Sequence, residues 1–143
     1  MADSVLVDSS VWIDFFTGDE ASAAGLRYLM QQGRVALSGQ ILQEVLQGSR
    51  DPDAFEMLSR EMSIWKSEAE EPDDFREAAR IFAELRWKGL TVPPTDCLIA
   101  AVAIRRKMPL FTTDSDFGRV PGLTLFDPEE ENRALRRSDG PAV

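Results

Sequence analysis

The stretch Val5-Leu6-Val7-Asp8-Ser9-Ser10-Val11-Trp12-Ile13 decides how the rest of the chain is read. Val5, Leu6 and Val7 are continuous in hydrophobicity rather than alternating, as expected of a central parallel strand covered on both faces. The run ends abruptly in a carboxylate. Asp8 therefore stands where open α/β sheets place their ligands, in the crevice outside the carboxyl ends of the strands.

The 143 residues suffice for one domain that buries roughly two-thirds of its unfolded surface. A hydrophobic fraction of 43% and a charged fraction of 29% suit a globular chain. No apolar run approaches the roughly 20 residues of a membrane span, and Met1-Ala2-Asp3-Ser4 lacks the basic and apolar segments of a signal peptide. A cytoplasmic protein with no membrane association is expected. The single cysteine, Cys97, excludes an internal disulfide and a thiolate zinc cage. The absence of histidine removes Ser-His-Asp and Cys-His catalysis, imidazole bases and the commonest transition-metal ligand. Carboxylate remains in quantity, 25 Asp and Glu against 16 Lys and Arg, for a net charge of −9. Any metal bound by such a chain is a hard one held by oxygen, Mg²⁺ or Mn²⁺. The acidic balance by itself opposes a nucleic-acid partner.

Along the chain, Ser10–Phe16 reads as a short helix capped by Asp8 or Ser9, and residues 21–32 as a second helix stopped by Gly33. Val35–Leu37 is a strand, and Ser38 and Gly39 open a helix to Gln47 with Glu44 at the border of its apolar stripe. Asp51–Arg60 is a helix with Pro52 at its first position. Met62–Trp65 reads as a third strand and Asp73–Lys88 as the longest helix, its apolar residues at i, i+3, i+4, i+7. Thr95 would cap a helix Asp96–Arg106 that is apolar all round, hence enclosed by protein. Pro109–Thr112 and Leu123–Phe126 are the fourth and fifth strands. Alternation of helices with short apolar strands predicts a three-layer α/β/α domain with a central parallel sheet of about five strands. The domain is assigned to residues 1–127. Residues 128–143, acidic and then basic, are expected to form a mobile tail.

Each acid has an ordinary explanation when taken alone. Asp8 could cap a helix, Asp96 could complement a helix dipole, Asp114 and Asp116 could form turns, and Glu44 could be a solvated flank. Their joint placement argues otherwise. Strand ends, the start of an enclosed helix and the border of an apolar stripe meet at one rim of a parallel sheet. Two unit charges about 4 Å apart interact at roughly 4 kcal/mol with an effective dielectric near 20, so an empty cluster must protonate or distort. One or two divalent cations remove that conflict.

Five segments carry a resemblance. Val7-Asp8-Ser9-Ser10-Val11-Trp12-Ile13-Asp14, Gln43-Glu44-Val45-Leu46-Gln47-Gly48, Leu85-Arg86-Trp87-Lys88-Gly89, Asp96-Cys97-Leu98-Ile99-Ala100-Ala101 and Thr112-Thr113-Asp114-Ser115-Asp116-Phe117 are similar in order and spacing to the PIN-domain ribonucleases, above all the VapC-type toxins of toxin–antitoxin pairs. The resemblance implies a PIN-like fold and a Mg²⁺- or Mn²⁺-dependent endoribonuclease acting on RNA. It also implies a homodimer, inhibited by a cognate antitoxin whose carboxyl-terminal segment covers the active-site groove. It places the acidic quartet on Asp8, Glu44, Asp96 and Asp114, with Asp116 as an additional or alternative acid. Asp8, Asp96 and Asp114 would hold the cation, Glu44 would hold it or orient a water, and Ser10 and Thr112 would support them by hydrogen bonding. Among the basic residues Arg76, Arg80, Arg86, Lys88, Arg105, Arg106 and Lys107, the RNA contacts expected are Arg80, Arg86 and Lys88.

Two other classes of function use similar residues. A Mg²⁺-dependent phosphotransfer α/β domain also places Asp at a strand end, but receivers want paired acids at the first strand and aspartyl phosphatases a second Asp where Ser10 stands. A non-catalytic binding module would keep the acids for turns and a partner, and would show no activity to lose on mutation.

Overall fold

The computed structural model describes residues 3–138. Its elements, in chain order, are β1 (Val5–Val7), α1 (Ser9–Thr17), α2 (Glu20–Gln31), β2 (Val35–Ser38), α3 (Gly39–Gln47), α4 (Pro52–Met62), β3 (Lys66–Glu68), α5 (Pro72–Trp87), α6 (Pro94–Arg105), β4 (Leu110–Phe111), a 3₁₀ turn (Ser115–Arg119) and α7 (Pro128–Ser138). The four strands form one parallel sheet in the order β3-β2-β1-β4, flanked by helices. Val5, Leu6 and Val7 have no exposed surface, which explains why their sequence lacks polar alternation.

The strand order fixes where a site can form. From β1 the chain moves to β2 and β3 on one side, then returns to the other side of β1 as β4. The direction of winding therefore reverses between β1 and β4, and the crevice at their carboxyl ends is the place where such sheets bind ligands. Asp8 leaves β1 there, and Thr112 to Asp116 leave β4 beside it, with Asp8 N donating to Phe111 O at 2.9 Å.

α6 is enclosed as its composition requires, with every residue from Cys97 to Ala103 buried. It begins at Pro94, so Thr95 lies inside the first turn and is not the cap. Two further expectations are corrected. Met62–Trp65 is not a strand: Met62 is the buried end of α4, Trp65 packs on Trp12, and the strand is the polar edge segment Lys66–Glu68. The apolar signal belonged to a helix end and a turn, while a short charged edge strand carries no such signal. The fifth strand reduces to one bridge, Leu125 beside Leu110, so the sheet has four strands. Within the segment expected as a mobile tail, residues 128–138 form α7, tied to the domain by Arg34, whose guanidinium pairs with Glu131 at 2.9 Å. The last five residues of that segment lie outside the described ones. No helix among the described residues is long and apolar enough to cross a membrane.

Candidate metal and catalytic centre

Asp8 is the N-cap of α1 by position, yet its side chain makes no capping bond. Instead Oδ2 accepts from Ser10 Oγ at 2.7 Å and from Thr112 Oγ1 at 2.8 Å, which leaves Oδ1 outside both bonds. The two hydroxyls are held in turn. Ser10 Oγ accepts from Thr113 N at 3.1 Å, and Thr112 Oγ1 from Asp114 N at 3.0 Å. The end of β1 and the loop after β4 are thus joined through one carboxylate that is only 3% exposed. Burial raises the Asp8 pKa, the hydrogen bonds from Ser10 and Thr112 oppose that rise, and the charge of Glu44 adds to it.

Glu44 is held on both oxygens. Ser9 Oγ donates to Oε1 at 2.7 Å, and Gln40 Nε2, one helical turn earlier, donates to Oε2 at 2.9 Å. Asp96 stands in the first turn of α6. Asp114 caps the 3₁₀ turn, accepting from Asp116 N at 2.9 Å, and so presents Asp116 beside itself.

Asp96, Asp114 and Asp116 each offer a carboxylate oxygen, and these atoms lie within 4.8 Å of one another. Burial together with the charges of Asp114, Asp8, Glu44 and Asp116 pushes the Asp96 pKa up to about 7. All five acids therefore share one electrostatic neighbourhood. Among the described residues the one ion pair that reaches the trio is Arg119 with Asp116, at 4.0 Å. A half-buried set of oxygen-only donors that repel one another, with a single arginine at the edge of one of them, is the set a hard divalent ion fits. Asp96, Asp114 and Asp116 would hold it, with Asp8 and Glu44 at its margin.

The structure differs from the sequence reading mainly in emphasis. Asp116, expected as an accessory acid, is one of the three that converge. Ser9, Gln40 and Arg119 were not anticipated; Gln40 was detectable as the i−4 neighbour of Glu44. Of the basic flank, Arg80 pairs with Glu77, while Arg105 and Arg106 both bind the buried Asp74 at 2.9 and 3.0 Å. Trp12 is fully buried and Trp65 packs against it, whereas Trp87 is 75% exposed.

A family model for the PIN domain matches residues 5–123, from the first residue of β1 to beyond the 3₁₀ turn. The chain belongs to the PIN-domain family. This PIN domain is 34% identical over 125 residues to the ribonuclease VapC11 of Mycobacterium tuberculosis, an alignment covering 84% of this chain and 93% of that protein. Its fold is shared with a toxin-antitoxin complex from Klebsiella pneumoniae, with a TM-score of 0.73 and 21% identity, covering 87% of this chain and 98% of that one. It is likewise similar to a DNA-bound VapBC from Salmonella typhimurium, with a TM-score of 0.72 and 22% identity, covering 89% and 99%.

Proposed function

We propose that this PIN domain is a divalent-cation-dependent endoribonuclease, the toxin of a toxin–antitoxin pair, which hydrolyses RNA phosphodiester bonds. The observation that carries this is the convergence of Asp96, Asp114 and Asp116 within 4.8 Å at the point where the sheet changes winding direction. Kinship with a VapC ribonuclease supplies the substrate class.

When bound, Mg²⁺ or Mn²⁺ would supply Lewis acidity, neutralising phosphoryl charge and easing deprotonation of water. The residues of the chain do the rest. Asp96, Asp114 and Asp116 concentrate negative charge and would hold the cation. Asp8 is held in place by Ser10 and Thr112, which both donate to Oδ2. Glu44 is fixed by one hydrogen bond on each oxygen, and each oxygen retains a further acceptor site. It orients the attacking water and takes its proton as the water oxygen bonds to phosphorus and the scissile P–O bond breaks, the leaving oxygen gaining a proton from solvent. Ser10 and Thr112 have their protons committed to Asp8 and act as supports rather than nucleophiles.

The net charge of −9 opposes RNA encounter, so the cation and nearby basic groups must offset it locally. Lys88 forms no ion pair among the described residues, and Arg119 stands beside Asp116; these two are the phosphate contacts of the reading, since Arg86 lines the α5 groove that a second copy would cover. The antitoxin belongs to the same reading through the VapBC relatives, as does a homodimer. On α5, Phe75 and Trp87 are exposed, and Phe75 lines a groove of about 540 Å³ with Ala78, Phe82, Pro94 and Leu98, surface that a second copy would cover.

The test is cleavage of total RNA by the purified protein with Mg²⁺ or Mn²⁺, with chelator, and as the Asp96→Asn and Asp114→Asn variants. Cleavage that needs both the ion and the acids supports the reading; cleavage indifferent to either removes it. Sequencing of the product ends then names the RNA.

A further inference from the structure

α3 carries Glu44, and its amino-terminal end is gripped from outside its own sequence. Ser38 provides the local cap, its Oγ accepting from Ile41 N at 3.4 Å. The two preceding amides donate to Glu70 instead: Gly39 N to Oε1 at 2.9 Å and Gln40 N to Oε2 at 2.7 Å. One carboxylate thus satisfies two otherwise unpaired donors at the positive end of the helix. Gly39 makes the approach possible, since a Cβ there would stand 2.7 Å from Glu70 Oε1.

The Glu70 loop is itself anchored. Arg106 Nη2 donates to Ala69 O at 2.6 Å, and its Nη1 to Asp74 Oδ1 at 3.0 Å. The other Asp74 oxygen accepts from Glu71 N at 2.7 Å. At the far end of the grip, Gln40 is the residue whose side chain holds Glu44 Oε2. Hydrogen bonds joined by short covalent links therefore connect the buried Asp74, through the 69–71 loop and the start of α3, to Glu44.

We propose that Glu70 is a positioning residue for Glu44, setting the first turn of α3 so that Gln40 and Ser9 hold that carboxylate in place. This rests on the nuclease reading and adds to it a residue outside the acid cluster. Displacement of a reacting group by about 1 Å can cost about a hundredfold in rate, so a shift at the first turn is felt one turn later.

The experiment measures kcat and KM for RNA cleavage with Mn²⁺, and the Mn²⁺-induced rise in unfolding midpoint, in wild type, Glu70→Ala, Glu70→Gln, Gly39→Ala, Glu44→Gln, Asp96→Asn and the Glu70→Ala/Glu44→Gln double variant. Gly39→Ala displaces the carboxylate without removing it and keeps a good helix former, so the question survives if Glu70→Ala folds poorly. Glu70→Ala and Gly39→Ala are expected to lower kcat about tenfold with KM little changed, and Glu70→Gln to recover part of the loss. The Mn²⁺-induced rise should persist, and the double variant should be no slower than Glu44→Gln alone. Wild-type kcat in both Glu70→Ala and Gly39→Ala, or losses that add in the double variant, overturns the positioning role alone. Loss of the Mn²⁺-induced rise overturns a role confined to Glu44. A wild type no faster than Asp96→Asn overturns the nuclease reading and the part of Glu70 in it together.

Discussion

Thr112 Oγ1 donates a 2.8 Å hydrogen bond to Asp8 Oδ2 across 104 positions of sequence, on the same oxygen that Ser10 occupies. Burial raises the Asp8 pKa, and these two hydrogen bonds oppose the rise. Thr112→Val removes the donor at nearly constant volume and leaves Asp8 short of a partner, a change worth about 1–3 kcal/mol. The expected result is a lower unfolding midpoint and slower RNA cleavage, with Thr112→Ser close to wild type. Equal rates for Val and Ser variants in a cleavage assay count against the support role.

Asp96 should show opposite effects on activity and on stability. Its pKa, pushed up to about 7 by burial and by the neighbouring acids, records repulsion that the metal-free fold must bear. Asp96→Asn relieves it. Cleavage should fall by at least about a hundredfold, while the unfolding midpoint in chelator rises above that of wild type. Activity assays and thermal melts on the same preparations check both signs.

Metal removal and pH are linked through the same group. A carboxyl that titrates near 7 must release its proton to bind a cation, so affinity falls as pH drops through that range. At about a hundred times the dissociation constant, Mn²⁺ should stabilise the fold by about 2.7 kcal/mol. That stabilisation, read by thermal shift, should shrink between pH 8 and pH 6 at constant Mn²⁺. A pH-independent shift would show that no group titrating between pH 6 and pH 8 binds the ion.

Asp74 has the reverse sign. Burial pushes its pKa up, but hydrogen bonds from Arg106, the Glu71 amide and Arg105 outweigh that and hold it below its ordinary 3.8. Its folded value is thus lower than its unfolded one. The resulting stability is present above about pH 4 and is lost as pH falls through the folded value. Asp74→Asn should lower stability at neutral pH, because Arg105 and Arg106 lose the buried charge they share while keeping only their outer acidic partners Asp73, Glu71 and Glu68, and should flatten the acid limb of a stability–pH curve measured by urea unfolding.

Gly25 in α2 has no room for a side chain. An added Cβ would lie 2.8 Å from Phe111 Cζ and 2.9 Å from Pro128 Cγ, joining the last strand and the start of α7 to one spot on the helix. Gly25→Ala should destabilise by about 1–3 kcal/mol through overpacking, despite the better helix propensity of alanine. A chemical denaturation curve settles the sign.

The acids were legible in the sequence because each stood at a recognisable boundary. Asp8 followed an unbroken apolar run, Asp96 opened a helix with no polar face, and Asp114 followed the last buried strand. The polar supports were less visible. Lys66-Ser67-Glu68 carries no apolar signal because it is an edge strand, and Leu123–Phe126 reads as a strand yet makes one bridge. Arg105 and Arg106 counted as a basic flank until their partner, Asp74, was placed beneath them.

The one-dimensional pattern was enough to determine the layered parallel fold and to single out acids at the boundaries of its elements, since burial and capping act through residue type and local spacing. Folding decided which oxygens meet. Asp116 met Asp96, Thr112 reached Asp8, and Glu70 took the start of α3 through contacts spanning 20 to 104 residues, because the three-dimensional path of the chain, unlike its period, brings distant segments to the same rim.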